Sequence, residues 1–329
     1  MNLSPKQIKQ EAALRIATTP GDHKKLTLVY GGIALGASLL SVLINFVISL
    51  MVENTGGLAS LGTRAILQSV SAVADVAISI LLPLWTIGLT RTMLRLSRQE
   101  RVYPQDLTQG FSRWGVFLRL TILQALMYIA VAYVVGQFAM IFFTMTPLSD
   151  SAMNLLARYS DETALMNALT TDTSYVLALL KALAPLMIIW FVVMAGIFLY
   201  MGYGMRLSLY RILDEDCSRA RVALRDSKRM IQGKRWTLFR LDLSFWWYYL
   251  LLFLLSALLY LPLVLDGRIP LSYDVMNLIV TLVHAGLTLL LYQKFLLQLE
   301  VSYALFYDTL YEEYKNPPVQ APQFYWQQQ

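Results

Sequence analysis

Apolar residues in this chain gather into six long runs, at 26–52, 65–90, 116–145, 182–205, 243–265 and 275–299. Charged residues fall almost wholly between them. A bilayer core of about 30 Å takes ~20 apolar residues of helix, and every run is long enough. Lipid offers backbone N–H and C=O groups no hydrogen-bond partners, so spans of this length must be α-helices; barrel strands are shorter and alternate. The pattern predicts an all-α polytopic membrane protein with six transmembrane helices. It divides the chain into an N-terminal segment 1–25, a membrane domain 26–299 and a C-terminal tail 300–329. An inner helix at 217–232 and an outer loop at 146–181 interrupt the domain.

Charge orients these spans. With six crossings, the two termini and the second and fourth connections share one face. That face carries 23 of the 27 Lys and Arg residues; only Arg64, Arg158, Lys181 and Arg268 remain for the other. Short loops rich in Lys and Arg stay inside, so the expected topology is N-in/C-in. The same bias accounts for the net charge of +6, and nucleic acid is not an expected partner. Composition agrees, because 57% hydrophobic and 15% charged residues do not suit an ordinary soluble domain, which is about 25% charged. The first run is too long for a signal-peptide core and lacks a small-x-small cleavage site, so it reads as an anchor.

Residue usage removes several kinds of chemistry. The chain has one cysteine, Cys217, and two histidines, which cannot assemble a Cys/His metal site of standard spacing or an intrachain disulfide. It contains no Walker A loop, nucleotide-binding glycine fingerprint, H-E-x-x-H or G-x-S-x-G. The expectation is a protein without cofactor, metal or catalytic residues.

The connections carry their own pattern. The segment 5–17 reads as a helix, broken at Pro20-Gly21. The outer loop 146–181 contains two short amphipathic stretches, 150–159 and 161–169, each starting with Asp. On a helical wheel, the inner connection sets Cys217, Ala220, Ala223, Leu224, Ser227, Met230 and Ile231 on one arc. Arg219, Arg221, Arg225, Asp226, Lys228 and Arg229 occupy the other. Such a helix either lies in the inner headgroup layer, its cations on anionic lipid, or docks on the protein. Asp214, Glu215 and Asp216 precede it and suit a helix N-terminus, where Asp216 or Ser218 would cap. An internal echo, Gln109-Gly110 with Arg113-Trp114 and Gln232-Gly233 with Arg235-Trp236, introduces the third and fifth spans. It reads as a parallel repeat or as two similar interfacial helix starts.

Around that second echo the residues form a longer signature: Ser227, Met230 and Gly233 at a turn, Lys234 and Phe239 after it, then Leu243-Ser244-Phe245 opening a span. Ala304-Leu305-Phe306-Tyr307 follows the last span, and Glu11-Ala12 lies in the helix before the first. These positions resemble the bacterial membrane family catalogued as domain of unknown function 975. The resemblance is continuous over the last hundred or so residues. It implies a multi-pass protein of the bacterial cytoplasmic membrane and lends no activity, because its motifs mark helix entries and exits.

Within the spans, Asp75 is the one deep acid and His284 the one histidine. A charge at that depth is costly, so such residues invite a functional reading. Counted along their helices both sit about 14–15 Å below the outer surface, and they would form a proton-responsive pair if spans two and six are neighbours. Asn45, Gln124 and Gln137 read as interhelical contacts, Gly32 and Gly36 as a close-packing seam, and Pro83, Pro185 and Pro262 as kinks. Trp114, Trp236, Trp246, Trp247, Tyr248 and Tyr249 form an inner aromatic belt. The tail reads as an amphipathic helix with Tyr303, Phe306, Tyr307, Leu310 and Tyr314. A Pro/Gln-rich end follows, whose Phe324-Tyr325-Trp326 would suit a protein partner. The reading that follows is a non-enzymatic accessory or lipid-interacting protein contacting anionic inner-leaflet lipid through Arg219, Arg221, Arg225, Lys228 and Arg229. The alternative is a small-molecule transporter with a midplane Asp75/His284 site; an intramembrane enzyme is third.

Overall fold

The computed structural model describes residues 4–53, 59–146, 154, 155, 157, 172–214, 217, 219–265 and 273–316. Every regular element among them is helical. Helix α1 (Pro5–Thr18) starts where Ser4 forms a capping box with Gln7 and Pro5 takes the first helical position, which needs no N–H. Helix α2 is His23–Glu53 and α3 is Ala59–Ser97. A 3-10 segment, Pro104–Arg113, leads into α4 (Trp114–Thr144). Helix α5 (Thr173–Met205) begins under Asp172, whose carboxylate accepts from the Ser174 and Tyr175 amides. Short helices α6 (Ser208–Leu213), α7 (Ala220–Met230) and α8 (Arg235–Leu243) follow. Then come α9 (Trp246–Leu258), α10 (Leu261–Leu265) and α11 (Tyr273–Leu291), and a π-turn, Tyr292–Leu296, joins α11 to α12 (Leu297–Lys315).

Five helical stretches are long and apolar enough to cross a membrane: His23–Ile48, Pro104–Thr144, Met187–Leu213, Trp246–Leu263 and Val275–Lys315. The remaining expected run, 65–90, lies within the 39-residue α3. The described surface of these helices is apolar: Phe138 and Phe191 are each 68% exposed, and Ile129, Ile188, Phe253 and Leu290 also face outward. An exposed apolar surface of that extent is stable only against lipid or another apolar surface. The fifth expected run is not one helix. Pro262 lacks the N–H an uninterrupted helix would use, and the chain turns at Leu259 and Tyr260 before restarting at Leu261. Pro83 and Pro185, by contrast, are carried inside α3 and α5. The outer stretches 150–159 and 161–169 fall outside the described residues but for Asn154, Leu155 and Ala157.

The chain divides into two compact units, residues 1–117 with 207–329, and residues 118–206. In the second, Tyr128 meets Phe198 edge-on at 5.2 Å and the Tyr175 hydroxyl donates to the Leu155 carbonyl. The first unit contains a polar helical assembly with α12 as its centre. Val301, Ala304 and Tyr307 of that helix are 0% exposed, and Tyr303, Leu305, Phe306, Leu310 and Tyr311 are also buried. Helices α1, α3 and α7 pack on it, with Ile8 and Ala12 of α1 inside. The expected amphipathic tail helix is thus covered on nearly all sides over Leu297–Tyr311, and exposed only toward its end.

Two glycines permit close approaches that shape this unit. Gly88 of α3 lies so near the 3-10 segment that a Cβ there would stand 1.9 Å from the Leu107 carbonyl oxygen. Gly31 of α2 meets Leu289 of α11, where a Cβ would come within 2.5 Å of Cδ1. The expected seam at Gly32 and Gly36 shows no contact among the described residues, where a Cβ at either position has no neighbour within 4 Å. The approach falls one residue earlier, on the buried face of α2.

Candidate functional site

The polar assembly is closed by a network around Asp214, the residue that ends α6. Its amide donates back to the Tyr210 carbonyl at 3.1 Å, which fixes the carboxylate at the helix end. Oδ1 accepts from Arg98, the residue after α3, at 3.0 Å, and Oδ2 from the Tyr307 hydroxyl of α12 at 2.5 Å. Arg98 also donates to Asp308 of α12, at 2.8 and 3.1 Å through Nη2 and Nε. Asp308 in turn accepts from Ser97 at 2.7 Å. Arg15 of α1 donates to the Ser97 carbonyl, and Arg113 to the carbonyls of Ile212 and Asp214 at 2.7 and 3.0 Å. One cluster therefore ties together α1, α3, the 3-10 segment, α6 and α12.

Electrostatics follow from that geometry. Burial opposes the Arg98 charge, but the two carboxylates more than offset it, and its pKa stands above the usual guanidinium value. Burial raises the Asp308 carboxyl above the ordinary carboxylate range despite Arg98 and Ser97, which act the other way. Burial, reinforced by the acceptor carboxylate of Asp214, holds Tyr307 protonated far beyond the normal phenol range. A second pair lies beside the first. Arg211 donates to Asp226 at 3.2 Å, both nearly buried, and its guanidinium stands 4.9 Å over the Tyr311 ring. Tyr210, Tyr307 and Tyr311 stack in series at 5.6 and 5.5 Å.

A cleft of about 850 Å³ opens on this cluster, lined among others by Arg91 and Arg95 of α3, the following Arg98, Arg15, Asp308 and Lys315. Its charge is locally balanced. Arg95 lies within 2.9 Å of Glu100 and 3.2 Å of Asp106, as Arg98 does with Asp214 and Asp308. Among the described residues no three His, Cys, Asp or Glu side chains converge to hold a metal ion.

The expected basic helix docks on protein, one of the two placements its pattern allowed, with its cations left outward. Helix α7 begins at Ala220, with Arg219 as its N-cap residue, and ends at Met230. Ala220, Ala223, Leu224, Ser227 and Met230 are buried, and α7 packs on α6 and α12. Its apolar face therefore meets protein. Arg219, Arg221, Arg225, Lys228 and Arg229 are all exposed, Arg225 with 61% of its side chain. Among the described residues only Arg225 has a carboxylate within 4 Å, Asp226 at 3.9 Å, and that acid already serves Arg211. Asp226 is the correction to the wheel: it sits among the cations in sequence but turns inward to Arg211. Asp214 is a second correction, since it closes α6 rather than opening α7. Asp216 and Ser218 lie outside the described residues.

Gly233 follows α7 in a four-residue turn closed by the Lys234 amide and the Ile231 carbonyl at 2.9 Å. Its φ of +78° is the value glycine tolerates best. Lys9 of α1 donates to the Ser244 carbonyl at 2.9 Å and lies over the Phe245 ring. Tyr303 donates to Asp242 and bonds Tyr249 at 2.8 Å. The family-like positions are thus packing and turn positions. Exposed Trp236, Trp246 and Trp247 follow α7 directly, and Tyr248 of the expected aromatic belt is buried instead.

Asp75 lies on α3 with its side chain outside the described residues, and His284 is half-buried on α11. Helix α2 packs against both α3 and α11. Residues 317–329, with Phe324-Tyr325-Trp326, also lie outside the described residues. Sequence reasoning missed Arg98, Arg113, Arg211, Asp308 and Tyr307 as a group. Their one shared signal is ionisable or phenolic residues flanking apolar runs, which does not say which ones meet.

Long helices with outward apolar side chains, joined to a polar assembly locked by ion pairs, define a membrane-embedded helical protein. The chain belongs to the family described as protein of unknown function (DUF975), whose model matches residues 26–313. No curated protein matches it, and no solved structure does.

Proposed function

We propose that this chain is a six-span protein of the bacterial cytoplasmic membrane, with both ends inside, that acts without catalysis through contact with anionic lipid. The cationic face of α7 is the contact. The observation that carries the reading is the division of that helix: its apolar face is occupied by protein, whereas five cations project outward, four of them with no carboxylate within reach among the described residues. The 39-residue α3, which contains the apolar run 65–90, supports a sixth crossing, and the Lys/Arg bias supports an inner-leaflet position for α7. The exposed tryptophans after α7 suit the same interfacial depth.

Each cation near an anionic leaflet contributes about 1 kcal/mol. Replacing Arg221, Arg225 and Lys228 by Gln then weakens retention of anionic lipid on the order of a hundredfold. Native mass spectrometry of the protein released from its own membranes reads this directly. Equal anionic lipid on wild type and the triple variant, with both folded, would sink the proposal.

A further inference from the structure

One face of α11 is polar along its whole length. Asn277, Thr281, His284, Thr288 and the following Tyr292 recur at four, three, four and four residues, an arc of about 80°. This face is turned inward. Thr281 and Thr288 are buried, while Ile279, Leu282, Val283, Leu287 and Leu290 of the opposite face are exposed. The polar side packs on α2 and α9, where Tyr30 stands 6.3 Å from Tyr292.

The π-turn extends the line. In an unbroken α-helix, Glu300 would lie about 80° round from Tyr292. The extra residue of the turn at Tyr292–Leu296 brings it back to within about 20°. Glu300 accepts from the Tyr210 hydroxyl of α6 at 3.3 Å and lies within electrostatic reach of Tyr30 and of Tyr248 of α9. From Asn277 to Glu300 the helix rises about 35 Å, enough to traverse a bilayer core.

Thr288 supplies an independent mark. Thr27, Thr86, Thr90, Thr92 and Thr309 each bond the carbonyl four residues back, as helical threonines commonly do. The Thr288 hydroxyl is buried in protein but has no partner among the described residues, and it lies on the polar arc. A buried hydroxyl of this kind is costly unless water meets it.

We propose that the inward face of α11 is a water-bridged proton path running from Asn277 through His284 and Thr288 to Glu300. The groups are a carboxamide, single hydroxyls and an imidazole three or four residues apart from Asn277 to Tyr292, and one carboxylate, Glu300, eight residues beyond Tyr292 with Tyr30 and Tyr248 within its electrostatic reach. One water spans each of the shorter gaps and more than one the last, but the set gives no oxygen cage for a metal cation. Asn277 holds the first water by hydrogen bonding and relays no proton itself; from there each step passes a proton from a water to the next hydroxyl oxygen or ring nitrogen, which releases its own proton onward, and Glu300 takes and gives the proton at the inner end.

The test is the full chain reconstituted in liposomes with a trapped pH-sensitive dye, driven by a potassium diffusion potential. Wild type is expected to acidify the lumen faster than protein-free vesicles. Thr288→Val, which keeps shape and removes the hydroxyl, and Glu300→Gln both fall to the protein-free rate. Thr288→Ser and the lipid-facing Leu290→Ala keep the wild-type rate. Wild-type vesicles no faster than empty ones overturn the proposal, and so does a folded Thr288→Val that conducts like wild type. If Glu300→Gln does not fold, the Val and Ser variants of Thr288 decide alone.

Discussion

Gly88→Ala is a one-methyl change whose cost can be worked from the backbone. The new Cβ would stand 1.9, 2.6 and 2.8 Å from the oxygen, carbonyl carbon and Cα of Leu107. Ordinary contact needs at least about 3.4 Å, so α3 and the 3-10 segment must separate by roughly 1.5 Å. No rotamer relieves this, because all three atoms are main chain. Leu107 is buried, and the adjacent Asp106 holds Arg95 at 3.2 Å and accepts from the Tyr103 amide at 2.8 Å. Separation therefore strains an ion pair and a turn as well as a packing contact. Overpacking commonly costs about 1–3 kcal/mol, and a clash borne by backbone belongs at or above the upper end. In a chain of this size about 3 kcal/mol lowers Tm by roughly 4 °C. Gly36→Ala is the matched control: nothing lies within 4 Å of its Cβ, and alanine is the better helix former by up to about 1 kcal/mol. Thermal unfolding in one detergent, followed by intrinsic fluorescence, should show Gly88→Ala well below wild type and Gly36→Ala at or above it. Equal Tm values for the two variants would refute the close approach.

Two further outcomes follow from the Asp214 network. Tyr307→Phe removes a buried hydroxyl that donates to a carboxylate, a bond of about 1.5–3 kcal/mol. With Asp214→Asn it should form a non-additive cycle coupled by roughly 1–2 kcal/mol; strict additivity of the unfolding free energies would show that the two groups do not meet. Asp308 gives a pH signature. Its folded-state pKa is raised by burial, so its linkage contribution favours the fold at low pH and is lost as pH rises through that value. Wild type should therefore gain Tm relative to Asp308→Asn as pH falls from about 7 to about 4. A loss over that window would mean that the Arg98 pairing dominates and the carboxyl is lowered instead.

The helical class and most of the spans were legible because lipid imposes a length and a composition that few other environments do. The arc of α7 was legible too, since a 3.6-residue period records which side faces protein. Asp226 broke that arc for a reason invisible locally: Arg211, fifteen residues earlier, needs a counter-charge inside. Arg98, Asp214 and Asp308 lie 116 and 94 residues apart in order, and no periodicity links them. The reading of Gly32 and Gly36 failed because a spacing of four identifies a face only when a partner helix is there. The break before Pro262 was half legible, since proline marks the place but not whether the helix bends or restarts.

The π-turn joins the two halves of this picture. Helix α11 presents its polar side to α2 and α9, whereas α12 is buried nearly all round in the polar assembly. One continuous helical path cannot satisfy both registers unless its phase changes between them. The extra residue at Tyr292–Leu296 makes that change, setting Glu300 in line with the α11 stripe while Tyr303 and Tyr307 reach Asp242 and Asp214. A rotation of α12 that strained the Tyr307–Asp214 bond would therefore also turn Glu300 from Tyr210. Asp214 holds α6 and Arg98 holds α3 against the same helix. The cluster that gives the polar assembly its stability thus also sets the phase of the helix that enters the membrane.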